Sequence, residues 1–86
     1  MKLLQDEKFG RILHGIRKSK NLTQIEVVAK MQTYGSMMSN DTYSKIERGL
    51  RNIFVEDFVI LKLALGVEYK DIFAGYERGI IESLKQ

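Results

Sequence analysis

Cysteine is absent from the 86-residue sequence, and histidine occurs once, at His14. Disulfides, thiolate nucleophiles and most structural zinc sites are thereby excluded, and one histidine cannot supply a metal cluster. No metal or other cofactor is expected, so stability must come from packing, alone or with a partner. Proline is absent too, and no long polar tract interrupts a chain that is 44% hydrophobic and 29% charged, a composition that suits a folded domain and argues against disorder. No apolar run approaches the roughly 20 residues needed to span a bilayer, and the opening MKLLQDEKF has acidic residues where a signal peptide needs an apolar stretch. The expectation is a cytoplasmic protein without membrane association. A chain this short buries only about 60% of its unfolded surface and supports one core, so residues 1–86 are expected to form a single, almost entirely helical domain.

What is present is unevenly charged. The net charge is +3, yet residues 1–52 hold ten Lys/Arg against five Asp/Glu while residues 53–86 hold four against six. The split suits a polyanion at one end and protein or water at the other, although ordinary domains also carry such differences.

Apolar spacing and capping residues divide the chain into helices. Phe9, Ile12, Leu13 and Ile16 fall at i, i+3, i+4 and i+7, which predicts a helix over 7–19 with Asp6 as its cap. Gly10 and Gly15 within it suggest the close approach of a neighbouring backbone. In LTQIEV, Thr23 and Glu26 have capping-box spacing and Leu22 can pack on Val27 as a hydrophobic staple, so a second helix begins at Gln24. Its pattern dissolves at QTYGS, where Gly35 permits a turn, and a loop of about six to eight residues follows. Ser39 then caps a short helix over 40–48 that Gly49 can close. VEDFVILKLAL predicts a helix over 55–65, buried on two sides and capped by Gly66. EYKDIF and YERGIIESLKQ predict a short fifth helix and a separate helical tail.

The order FGRILHGIRKSKNLTQIEVVAKM, SNDTYSKIERG and FVILKLALGVEYKDIF resembles the phage repressor and Cro-like helix-turn-helix family, the xenobiotic-response-element type, over about residues 9–73. The fold class is therefore all-α: a five-helix repressor-like domain with an additional C-terminal helical tail over 74–86. The resemblance implies a prokaryotic or phage-like transcription regulator, commonly a repressor and frequently dimeric, that reads double-stranded DNA with its third helix in the major groove. Gln24 to Gly49 spans roughly five residues more than the compact form of this family, whose turn is usually three or four residues. The excess lies in QTYGSMM and makes the chain resemble the longer-turn members, leaving the angle between helices two and three open. One of Met37 and Met38 is expected to plug the gap, and the alternative gives one of them a contact to DNA or a partner.

Carried over residue by residue, the resemblance puts Asn40, Asp41, Ser44 and Lys45 at base-facing positions and Tyr43 and Ile46 on the core side. Asparagine suits adenine, lysine suits guanine and aspartate suits cytosine, while Asp41 has the alternative role of stabilising the helix dipole. Phosphate contacts are expected from Gln24, Ser39, Thr42, Arg48, Arg51 and Asn52. Arg17, Lys18 and Lys20 add long-range attraction, unless Arg17 pairs structurally with Glu47. His14 is expected to be merely solvated, and no nucleophile has a base and an orienting group, so no enzyme is expected. Ile60, Leu63, Ile80, Ile81 and Leu84 are candidate homodimer contacts, the bland alternative being a tail folded back on helix one. The rival functional class is a protein-binding module such as an antitoxin or mobile-element control protein acting through a protein partner.

Overall fold

In the computed structural model, which describes residues 7–85 and the backbone of residues 2–4, α1 spans Glu7–Ser19. Its buried stripe is Phe9, Gly10, Leu13 and Arg17. Asp6, expected as the cap, lies outside the described residues. Asn21 closes α1 with a positive φ of 57°, the Leu22 N–H donating to the Arg17 carbonyl and Asn21 to Lys18. That closure is a Schellman motif, with asparagine in the position glycine usually takes. Leu22 then packs against the core, and α2 (Gln24–Thr33) starts on the reciprocal capping box of Thr23 and Glu26.

α2 and α3 (Asn40–Glu47) end by the same device. Gly35 and Gly49 take φ of 94° and 76°. The following N–H groups, of Ser36 and Leu50, return to the carbonyls of Met31 and Lys45. α3 therefore stops one residue before the expected Arg48, which is its C-cap. α4 (Val55–Leu65) is capped by left-handed Gly66.

One expectation of the chain's layout changes. EYKDIF and the tail are not separate elements, because α5 runs unbroken from Tyr69 to Leu84. No proline interrupts the passage through Gly75, and a mid-helix glycine costs only about 1 kcal/mol, too little to break a helix anchored by packing. Near Gly75 that anchor is Tyr76, whose ring stands edge-on to Phe9 at 6.5 Å. The expected all-α class holds, with one minimal sheet beside the five helices among the described residues. β1 (Lys2–Leu4) pairs antiparallel with β2 (Ile53–Phe54), with a bulge-like irregularity between Lys2 and Leu4.

The core joins Phe9 and Leu13 of α1 to Val27, Val28 and Met31 of α2, Tyr43 and Ile46 of α3, Phe58, Leu61 and Leu65 of α4, and Ile72 of α5. Each such side chain contributes roughly 1.5–3 kcal/mol on burial. Phe58 sits within 6 Å of three other rings, those of Phe9, Tyr69 and Phe73. α4 is covered over a wide arc: Phe58, Leu61, Ala64 and Leu65 are buried and Ile60 packs partly against the core, while Val59 and Leu63 are exposed. Lys62 lies over the Tyr69 ring, 5.1 Å from its centroid, with its ammonium 3.8 Å from Glu68. A long charged residue is accommodated there because its apolar stem packs while its head reaches water.

Candidate nucleic-acid interface

α3 is locked at one end and free at the other. The clamp is Glu47, whose side chain is 3% exposed. Its carboxylate accepts from Arg17 Nε at 2.8 Å and Nη2 at 3.1 Å, from Gln24 Nε2 at 3.1 Å, and lies 3.1 Å from His14 Nδ1. Residues of α1 and α2 thus converge on one carboxylate of α3. Arg17 also donates to the Leu22 carbonyl at 2.8 Å, tying the α1–α2 turn into the same cluster.

Burial opposes ionisation of Glu47, but the hydrogen bonds it accepts, foremost from Arg17, outweigh that and hold the carboxyl below its usual range. The same contact raises the Arg17 guanidinium against its own burial. Tyr43 is fully buried beside this pair, and its hydroxyl has no partner at hydrogen-bonding geometry among the described residues. Desolvation pushes that phenol far above its usual range, and the Glu47 charge adds to the effect.

Backbone contact closes the clamp. A Cβ on Gly10 would run into the Glu47 carbonyl oxygen and lie 2.7 Å from its carbon and 2.9 Å from the Ile46 oxygen. The close approach suggested for the α1 glycines therefore holds at Gly10. At Gly15 an added Cβ would meet nothing within 4 Å among the described residues beyond its own helix, so the same reading fails there.

The leading end of α3 is open. Asn40 and Asp41 are exposed, and Thr42, Ser44 and Lys45 are half-buried. Ser39 Oγ accepts the Thr42 N–H at 3.1 Å and donates to the Thr42 hydroxyl at 3.0 Å. Lys45 Nζ lies 3.0 Å from Asp41 Oδ2, one helical turn away. This exposed pair leaves the Lys45 ammonium with further N–H donors for another acceptor. Arg48 and Arg51 are exposed and Asn52 is half-buried.

The long turn over 34–39 is pinned rather than loose. Ser36 is buried; its hydroxyl donates to Asp57 Oδ1 of α4 at 3.0 Å and accepts the Met38 N–H at 3.0 Å. Gln32 Nε2 donates to the Met38 carbonyl at 3.0 Å. Met38 fills the gap behind the turn, 6% exposed, and Met37 stands out of it, 97% exposed.

Several expected roles shift. Gln24, expected at phosphate, gives an amide N–H to Glu47 and is half-buried at the start of α2. For Arg17 the structural alternative holds, the buried pair with Glu47. His14 is not merely solvated: its ring is half-exposed, with Nδ1 turned to Glu47 and Arg17. Its place one turn before Arg17, on the same helix face, was the available signal. Ile60, expected to point outward, is half-buried against the core, whereas Leu63, Ile80, Ile81 and Leu84 are exposed. The tail divides accordingly: its start packs on α1 through Tyr76 and Gly75, and its end does not. The Ser36–Asp57 bond was hidden in the sequence, where nothing in the spacing of the two residues brings them together.

No family model matches the sequence, and no curated protein matches it. Solved structures do match the fold. The wild-type restriction-modification controller protein C.Esp1396I superposes with a TM-score of 0.75 at 23% identity, over 87% of this chain and 92% of its own. The clp gene regulator ClgR from C. glutamicum gives 0.72 at 24% identity, over 87% and 90%. A tyrosine-to-phenylalanine mutant of C.Esp1396I gives 0.69 at 24% identity, over 100% and 99%. At such identities the likeness establishes architecture: this chain has the all-α helix-turn-helix fold of these regulators.

Proposed function

We propose that this chain is a sequence-specific regulator of transcription that binds double-stranded DNA as a homodimer and represses by occupying a promoter, in the manner of the longer-turn phage repressor and Cro-like proteins its sequence resembles. Residues 1–86 act as one DNA-binding unit, without metal, cofactor or catalytic step. The observation that carries the reading is the asymmetry of α3: Glu47 is fastened to α1 and α2, while Asn40 and Asp41 project into solvent. A helix enters the major groove only if its leading end is free and its trailing end fixes the approach angle. Solved structures of the same fold are a restriction-modification controller and a clp gene regulator, which favours a regulatory role over catalysis.

In this reading Asn40, Ser44 and Lys45 face base edges, and Arg48, Arg51, Thr42 and Asn52 face phosphate. Asp41 serves as the resting partner of Lys45, an exposed i,i+4 pair worth only about 0.3–0.5 kcal/mol and readily given up to a guanine. The uncovered apolar side chains Val59, Leu63, Ile80, Ile81 and Leu84 are the surface for a second copy, which would present two α3 tips about 34–36 Å apart.

Selection of duplexes from random DNA, followed by titration at several salt concentrations, tests the reading. Affinity should fall steeply with salt. Lys45→Ala should lose preference at a defined base pair, and Arg51→Ala should weaken all duplexes alike and flatten the salt slope by about one. Recovery of no preferred sequence, with binding indifferent to both substitutions, points instead to the protein-capture alternative.

A further inference from the structure

Met37 is a methionine in water with no shelter, 97% exposed, on a backbone that is fastened immediately to either side of it. The Ser36 N–H donates to the Met31 carbonyl, and the Met38 N–H and carbonyl are held by Ser36 and Gln32. The turn therefore does not fold this side chain away; it presents it. A cleft of about 430 Å³ runs along the turn, and Met37 lines it together with Ser39, Thr42 and Arg51. Met37 thus shares one side of the molecule with the cap of α3 and with an exposed guanidinium. We infer that Met37 is a specificity-determining residue that reads the C5-methyl of a thymine at the edge of the α3 footprint. This rests on the DNA-binding reading above and deepens it.

The chemistry narrows the target. In the major groove every base pair offers hydrogen-bond donors and acceptors, and only thymine offers an apolar group. A thioether has no proton to donate and is a poor acceptor, so its affinity there is for the methyl. Methionine, unbranched and polarizable, adapts to such a contact without exact placement. Polar α3 residues and this apolar turn residue then divide the code, the former reading hydrogen-bond patterns and the latter the presence of a methyl.

The test uses the duplex that wild-type protein selects from a random pool, with each thymine replaced singly by deoxyuridine, which deletes the methyl and nothing else. One methyl in apolar contact corresponds to roughly a fourfold change in affinity. Wild-type binding should weaken about fourfold at one thymine per half-site, Met37→Ala should bind that duplex and its uridine version equally, and Met37→Leu should keep the difference. Since Met37 touches little of its own chain, Met37→Ala should unfold at the wild-type temperature. The inference is overturned if wild type and Met37→Ala respond alike to every uridine, or if Met37→Ala changes the oligomeric mass, which would seat Met37 on a second copy. If wild-type protein selects no sequence at all, the DNA reading itself fails and the inference with it.

Discussion

Gly10 and Gly15 allow the packing argument to be tested within one helix by the same substitution. Both lie in α1, and alanine at either exchanges a poor helix former for the best, a gain of up to about 1 kcal/mol. At Gly15 that gain is unopposed, because an added Cβ meets none of the described residues beyond its own helix within 4 Å. At Gly10 the methyl collides with the Glu47 carbonyl and lies 2.9 Å from the Ile46 oxygen, and both are backbone atoms that cannot rotate aside. Overpacking of this kind typically costs about 1–3 kcal/mol, and an immovable neighbour puts it toward the upper end, so the net loss is on the order of 1–2 kcal/mol. For a domain of this size that lowers Tm by roughly 4–16 °C, while Gly15→Ala raises it by a few degrees. Urea or thermal unfolding of both variants at neutral pH reads the difference. Gly10→Ala should also weaken DNA binding beyond its effect on stability, since α3 must move away from Arg17 to admit the methyl. Two shifts of the same sign would refute the claim that backbone contact between α1 and α3 sets their spacing.

The remaining predictions address the clamp, the turn, the cap and the assembly. Glu47 has a folded-state pKa below its ordinary value of 4.5, so its contribution is complete above that value and is lost as pH falls through the lower, folded one. Wild-type stability should decline in this acid window. Glu47→Gln should lose about 3 kcal/mol at pH 7, because the buried Arg17 is left without its counter-charge, and should show a shallower acid limb in urea titrations between pH 3 and 7. Met38→Ala should cost roughly 2–5 kcal/mol and Met37→Ala no more than about 0.5 by the same unfolding assay. Ser39→Ala, which leaves the Thr42 N–H uncapped, should cost about 1 kcal/mol and fray the α3 tip, visible as faster amide exchange at Asp41 and Thr42. Sedimentation at micromolar concentration should give a mass near twice the 10.0 kDa of the chain, and Leu63→Lys should return it to the monomer. A wild-type protein that is monomeric both free and on DNA would refute the dimer.

Local signals carried most of the fold because they are strong where the chain is simple. The Thr23–Glu26 box, Ser39, Gly35, Gly49 and Gly66 each specify a helix end by their own chemistry, and the structure uses all of them. Where several distant residues had to be placed together, the sequence said less: the resemblance offered the Arg17–Glu47 pair but not the cluster around it. Nothing in the spacing of His14, Gln24 and Glu47 says that they meet, because that depends on how α1, α2 and α3 cross. The β1–β2 pairing was equally hidden, joining two short segments from the start and the middle of the chain. The continuity of α5 is illegible because a glycine in a helical pattern reads as an end when the packing around it is unknown. Met37 and Met38 are adjacent and chemically identical, so only the path of the backbone could assign one to the core and the other to water.

That path bears on what the long turn is for. In a compact helix-turn-helix, three or four residues between the helices constrain how they cross. Here the turn over 34–39 is longer, and α3 is also held by a carboxylate at its end gripped from α1 and α2 and by the backbone contact at Gly10. The Glu47 cluster then shares that constraint with the turn, whose hydrogen bonds to Met38 and Asp57 hold its own shape. The two functions can accordingly be separated by mutation. Ser36→Ala, which breaks the tether to Asp57, should loosen the turn and reduce the thymine discrimination proposed for Met37 while leaving the base choice proposed for Lys45 intact. Glu47→Gln should do the reverse, degrading every α3 contact together.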